Sequence, residues 1–282
     1  MGALAQQAAE PRAPSLFEAD APDPGSIPAP GAAEHHGRFF HAAIEELAPR
    51  RRPAELRVLD LGCGAGRMVA VLLAFGYDAH GCDFENGYSL MDLEGTPRAV
   101  RERIRQVDLD PYRLPFADEA FDVVVSTQVL EHVQNKIETL REVRRVLKPG
   151  GVTLHVFPSK WSLPVELHIK TPFVSWMWPR VPRVWLQFWA LVGVRNEYQR
   201  GQDWRQVASE NERFCREAID YRDKREMLDL FRGCFSRAES PMPLLIRNAM
   251  GPRGAWIKRL PGLPVTAALL GMFRQRLVVA WR

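Results

Sequence analysis

The stretch "VLDLGCGAG", Val58 to Gly66, decides the fold: an apolar run ends in an acid, and three glycines follow within five residues. An apolar run closed by a glycine turn reads as a buried strand delivering the chain to a tight loop, where the backbone itself meets a ligand. The spacing is Gly62, Gly64, Gly66. The dinucleotide fingerprint G-x-G-x-x-G would need glycine at 67, where Arg67 stands, and a Walker phosphate loop would need a following Gly-Lys-Ser/Thr. Asp60 places a carboxylate beside the loop, which suits a ligand bearing an ammonium group better than a pyrophosphate.

Outward from this loop the chain alternates. After strand "LRVLDL" come helix "GRMVAVLLAFG", strand "YDAHGCD", a charged helix around "PRAVRERIRQ", strand "FDVVVST", helix "ETLREVRRVLKPGG" and strand "VTLHVF". Apolar strands alternating with helices predict an α/β fold, a doubly wound and mostly parallel sheet with helices on both faces. Ligands of such sheets bind at the carboxyl ends of the strands, where "LDLGCGAG" lies. Before the first strand, "GRFFHAAIEELAPRR" reads as a helix stopped by Pro53. After the fifth strand an aromatic, proline-punctuated insertion runs from about 158 to 211. Alternation then resumes with helical "YRDKREMLDLFRG" and the strand candidates "CFSRAES" and "QRLVVAWR".

Residues 1–36 hold six prolines and ten alanines with few large apolar side chains, which predicts a disordered leader before a domain spanning 37–282. Four scattered cysteines, no export or lipidation signal and no apolar run near the roughly 20 residues of a membrane span predict a cytoplasmic protein. The net charge, 38 − 34 = +4, is uneven. Five acids and one arginine in the leader leave +8 for the rest, and the last 42 residues carry seven basic residues and no acid. That suits an anionic partner or the inner face of a membrane, touched peripherally, or simply a solvated basic face. Nucleic acid is disfavoured, because the basic residues are spread among apolar ones.

The residues quoted so far resemble the class I S-adenosylmethionine-dependent methyltransferases, in the branch of the ubiquinone and menaquinone methyltransferases (methyltransferase type 11). "VLDLGCGAG" is similar to that family's first motif, "DPYRLPF" to its D-x-x-x-L-P-F, and "FDVVVSTQVLEHV" and "LREVRRVLKPGG" to its fourth strand and the turn before the fifth. The resemblance covers about Arg57 to Phe157 and implies a Rossmann-like fold, S-adenosyl-L-methionine as cofactor and methyl transfer as activity. It implies a cofactor set of Asp60, Gly62, Cys63, Gly64 and Gly66 in and beside the loop, Asp83 and Phe84 at the end of the second strand, Leu109 and Asp110, and Gln128 near the reacting methyl. Asp83 would accept from the ribose hydroxyls and Asp110 from the adenine amino group, with Asp108 as a competitor; Leu109 would wall the adenine. Some relatives hold a divalent cation with Glu-x-x-Glu-His. Here Gln128-Val-Leu-Glu131-His132 lacks one carboxylate, so no metal is predicted.

An oxygen nucleophile benefits from a base near neutrality, and the candidate catalytic residues are His168, with Glu166 beside it, and His132. The plainer reading of His132 is a helix residue satisfied by local hydrogen bonds, and that of His155 is a packed strand residue. Six tryptophans between Trp161 and Trp204 suggest a lid over a small apolar, glycosylated or lipid-like acceptor, methylated on oxygen. The same rings would also serve as a small helical core, a membrane contact flanked by Arg180, Arg183 and Arg195, or a homodimer contact. The rivals to a small-molecule methyltransferase are an RNA methyltransferase and a catalytically inactive cofactor-binding partner subunit.

Overall fold

The computed structural model describes residues 32–84, 95–161, 165–166, 168–248 and 275–282. In chain order the elements are α1 (Ala32–Leu47), β1 (Arg57–Leu61), α2 (Arg67–Ala74), β2 (Asp78–Asp83), α3 (Arg98–Arg101), β3 (Ile104–Gln106), β4 (Asp108–Leu109), β5 (Tyr112–Arg113), β6 (Phe121–Thr127), α4 (Lys136–Val146), β7 (Leu147–Pro158), α5 (Val174–Met177), α6 (Arg183–Leu191), α7 (Trp204–Glu217), α8 (Lys224–Cys234), β8 (Arg237–Glu239), α9 (Met242–Asn248) and β9 (Gln275–Trp281).

Seven strands form one sheet in the order β3-β2-β1-β6-β7-β9-β8; β4 and β5 form a separate hairpin. β3, β2, β1, β6 and β7 are mutually parallel, and β9 runs antiparallel between β7 and β8. The chain therefore carries the expected Rossmann-like, mostly parallel sheet. Side chains alternate across it. Val58, Val123, Val125, Leu154 and Val279 pack with α1, α2 and α9 on one face, while Leu59, Val124, Val278 and Ala280 pack with α4 and α8 on the other. Strand order reverses between β1 and β6, and such a switch point opens a crevice at the strands' carboxyl ends.

Several expected boundaries shift. α1 begins at Ala32, inside the expected leader; residues 1–31 lie outside the described ones, as do Arg253, Lys258, Arg259 and Arg274 of the basic segment. The charged helix expected to run through "PRAVRERIRQ" is only the four residues of α3, because Ile104–Gln106 pairs with β2 as an edge strand. The insertion does not stop at Asn211. α7 runs through that position to Glu217, and Phe214, Cys215, Ala218, Ile219 and Tyr221 complete a separate core with Ile169, Val174 and Leu186. That core is largely aliphatic; Trp178 packs against it, and none of the insertion's six tryptophans is among its buried members. Among the described residues no helix is long and apolar enough to cross a membrane.

Candidate active site

The glycine loop follows β1 directly, and its three glycines all have positive φ: +74° at Gly62, +49° at Gly64 and +76° at Gly66. They do different things. A Cβ on Gly62 would lie 2.3 Å from Val129, and one on Gly66 would lie 2.4 Å from Ile104. Gly62 thus lets the loop close against the segment after β6, and Gly66 lets α2 start against β3. A Cβ on Gly64 would meet nothing within 4 Å. Of the three loop glycines this one alone turns bare backbone to open space, the approach a ligand needs.

Two carboxylates flank that opening. Asp83, at the end of β2, accepts from the Gly64 N–H at 2.7 Å through Oδ2 and from the Phe84 N–H at 2.8 Å through Oδ1. It thereby fixes the loop beside the opening. Asp60 is 4% exposed. Burial, then the repulsion of Asp83, pushes its carboxyl well above the usual range, and no described basic side chain counters them. The neighbouring Cys63 thiol is raised as well, by burial and by both acids. A cation bound beside this cleared backbone would favour the ionised form of Asp60, so the site fits a ligand carrying an ammonium and a sulfonium. Cys63 itself packs against Gly81 in the core, which leaves only its backbone for a ligand.

Phe84 is partly buried against the α4/α8-side core. Asp108, Leu109 and Asp110 lie on the β4–β5 hairpin, all exposed, with Leu109 at 52% and a cis bond between Asp110 and Pro111. Asp83 pairs with Gln106, so Asp108 stands two residues beyond the end of the ladder, whereas Asp110 is out at the hairpin turn. Gln128 follows β6 with φ of +57°, and its N–H donates to the Val156 carbonyl. The structure thus brings Asp60, Gly62, Gly64, Asp83 and Gln128 to the strand ends beside the switch point. A cleft of about 800 Å³ between α4 and α8, lined by Lys136, Arg141, Glu226 and Asp229 among others, holds none of these residues.

The two histidines belong to a second cluster close by. His168 Nδ1–H donates to Glu166 Oε1 at 2.9 Å, and Glu166 Oε2 accepts from the His168 and Ile169 N–H groups. Burial would raise the Glu166 carboxyl, but the His168 ring and these donors outweigh it and hold it below its usual range. His132 lies in a turn, not the expected helix, and its Nδ1–H donates to the Ala218 carbonyl at 2.7 Å. Burial, then the charge of His168, pushes its ring down to about 4, so it is neutral near pH 7. The two rings meet edge to face, with centroids 4.9 Å apart. His155 is the buried strand residue expected: it bonds Ser126 and Thr153, and burial lowers it to about 3.

Two members of the cluster, Tyr221 and Asn196, gave no signal as site residues in the sequence, and a third, Glu131, is legible there only as part of an incomplete metal motif. The Tyr221 hydroxyl donates to Glu166 Oε1 at 3.1 Å from 55 positions away, and Asn196 Nδ2 donates to the His168 carbonyl. Glu131, 2% exposed, has neither carboxylate oxygen hydrogen-bonded among the described residues, and burial pushes it up to about 8. Among the described residues no group of three or more His, Cys, Asp or Glu is arranged to hold a metal.

Residues 59–155 match a family described as a methyltransferase domain. A demethylmenaquinone methyltransferase of Beutenbergia cavernae is 43% identical over 100 residues, which are 36% of this chain and 39% of that protein. A demethylmenaquinone methyltransferase of Staphylococcus aureus is 30% identical over 149 residues, 52% of this chain and 60% of that protein. The chain thus spans about 40–60% of the length of these curated relatives. A solved S-adenosylmethionine-dependent methyltransferase from Mesorhizobium loti is 20% identical at a TM-score of 0.49, covering 89% of this chain and 99% of that one.

Proposed function

We propose that this chain, whose residues 59–155 are a class I S-adenosylmethionine-dependent methyltransferase domain, transfers the methyl group to a hydroxyl oxygen of a small, apolar, ring-bearing or lipid-like acceptor. The observation that carries the cofactor half is the open face of Gly64 between the buried carboxylates of Asp60 and Asp83. Asp60 would face the cofactor's ammonium, Asp83 its ribose hydroxyls, and the β4–β5 hairpin its adenine. There the register of Asp108 favours it over Asp110 as acceptor from the amino group, with Leu109 as wall. When bound, the cofactor supplies an electrophilic methyl group. The chain has to hold the acceptor oxygen in line, exclude water and remove a proton.

The Glu166–His168 pair supports an oxygen acceptor. With Nδ1–H committed to Glu166, the imidazole takes a proton at Nε2, and the ionised carboxylate stabilises the imidazolium that results. The names of the relatives point to a quinone-type ring compound, which carries a hydroxyl acceptor in its reduced quinol form, and the tryptophans of the insertion suit such rings.

Calorimetric titration with S-adenosylmethionine and S-adenosylhomocysteine tests the cofactor half: both should bind, and absence of binding overturns it. With cofactor labelled in its methyl group and a panel of quinols, aryl alcohols and glycosylated lipids, label should appear on oxygen. His168→Ala should then lower kcat by about 10²–10⁴-fold with cofactor affinity unchanged. Full turnover by that variant removes His168 from the chemistry.

A further inference from the structure

α6 turns opposite faces to protein and solvent. Leu186 and Ala190 are buried, while Val184, Phe188, Leu191 and Val192 are 71%, 51%, 62% and 56% exposed. At 100° per residue the four exposed side chains lie within one arc of about 100°. A contiguous exposed apolar stripe of this kind marks a contact.

Within its own segment the charge has one sign, while α7, packed against α6, carries Glu210 and Glu212. From Lys170 to Asn196 the chain carries Lys170, Arg180, Arg183 and Arg195 and no acid. Arg183 reaches Glu212 of α7 at 3.4 Å, an exposed pair, and Arg180 has no ion pair among the described residues. The stripe is also small. A nine-residue helix is about 14 Å long, and its face falls far short of the roughly 800 Å² per partner that a standard protein interface buries. A short apolar face rimmed by arginines is instead what lies in the headgroup region of an anionic bilayer.

Behind the stripe runs a continuous series of ring contacts. Phe188 stacks on Trp185 (6.4 Å between centroids), Trp185 meets Phe173 (6.4 Å), Phe173 meets Trp176 (5.2 Å), and Trp176 meets Trp161 (5.8 Å). Trp161 stands three residues past the end of β7, at the carboxyl edge of the sheet. We propose that this face of α6 seats on an anionic lipid surface, at the outer end of a ladder of aromatic rings that leads to the sheet edge where an acceptor dissolved in lipid is methylated. The last clause rests on the methyltransferase reading; the lipid contact stands on the stripe and its charge.

The test is cosedimentation of the full chain with phosphatidylcholine vesicles made with and without phosphatidylglycerol. The chain should partition to the phosphatidylglycerol vesicles and be released as salt is added. The double variant Phe188→Ser/Leu191→Ser, at two exposed positions, should partition roughly tenfold less with an unchanged melting midpoint. No partition to either vesicle, or equal partition of the variant, overturns the proposal. So does a wild-type dimer in sedimentation that the variant dissociates, since the stripe would then belong to a second copy. Titration of the same preparations with S-adenosylmethionine reads the methyltransferase premise separately: vesicle binding without cofactor binding would uphold the lipid contact and remove that premise.

Discussion

Gly62 and Gly64 are two residues apart with the same local signature, yet substitution separates them. Gly62→Ala forces a Cβ to 2.3 Å from Val129 in addition to the positive φ, so it should destabilise the fold by about 3 kcal/mol or more. Gly64→Ala carries only the cost of the left-handed backbone, about 1–2 kcal/mol, but places a methyl where the ligand must approach. Thermal melts should show the first effect, and calorimetry with S-adenosylmethionine the second, as a loss of affinity in a folded protein. Asp83 joins the two roles. Asp83→Ala should cost stability, because the Gly64 and Phe84 N–H groups lose their acceptor, and it should weaken cofactor binding at least tenfold. Asp83→Asn keeps an acceptor oxygen and should recover part of the stability but less of the affinity, since charge is lost from the site. Affinity unchanged in both variants would remove Asp83 from cofactor recognition.

The connection between β6 and α4 is the element that binds the insertion to the sheet. The Asp220 N–H donates to the Glu131 carbonyl, His132 donates to Ala218, and Lys136 forms a buried ion pair with Asp220 at 2.9 Å, each side chain 4% exposed. Lys136→Met should therefore destabilise the fold by about 2–3 kcal/mol, somewhat less than for an unassisted buried pair because Arg222 still reaches Asp220. Chemical denaturation measures it. At this scale the sequence was only partly legible. β1, β6, β7 and β9 announced themselves by β-branched and apolar runs, but β3 was hidden in a charged stretch, because an edge strand of three residues has no periodicity to show. The end of the insertion was hidden for a related reason: α7 carries one helical pattern across the expected boundary at Asn211.

For the molecule as a whole, the buried Glu131 and His132 give stability a calculable pH dependence. Glu131 is raised from about 4.5 to about 8, so the folded state keeps a proton that the unfolded chain releases, and stability falls as pH rises from 4.5 through 8. His132 is lowered from 6.5 to about 4; the unfolded chain binds the extra proton, and stability rises with pH between 4 and 6.5. The two oppose each other below pH 6.5, and above it Glu131 acts without that counterweight. Glu131→Gln removes this pH dependence, so unfolding free energies of variant and wild type from urea titrations at about pH 5 and pH 8 should shift in the variant's favour by about 3–4 kcal/mol on going to pH 8. A difference independent of pH would show that the carboxyl ionises in the folded protein as it does in the unfolded chain.

The sequence by itself determined the sheet and the cofactor loop, because both are written locally: strand and helix periods are short, and a glycine loop with its flanking acid is contiguous in the chain. Tertiary structure decided which glycine faces open space, since that depends on Val129 and Ile104, about 40 to 70 positions further on. It decided that Glu166 is clamped by Tyr221, that Cys63 turns into the core, and that the aromatic rings form a ladder beside an aliphatic core rather than the core itself. Contacts between residues far apart in the chain leave no spacing to read, and burial, hydrogen bonding and charge coupling exist only once the chain has brought those residues together.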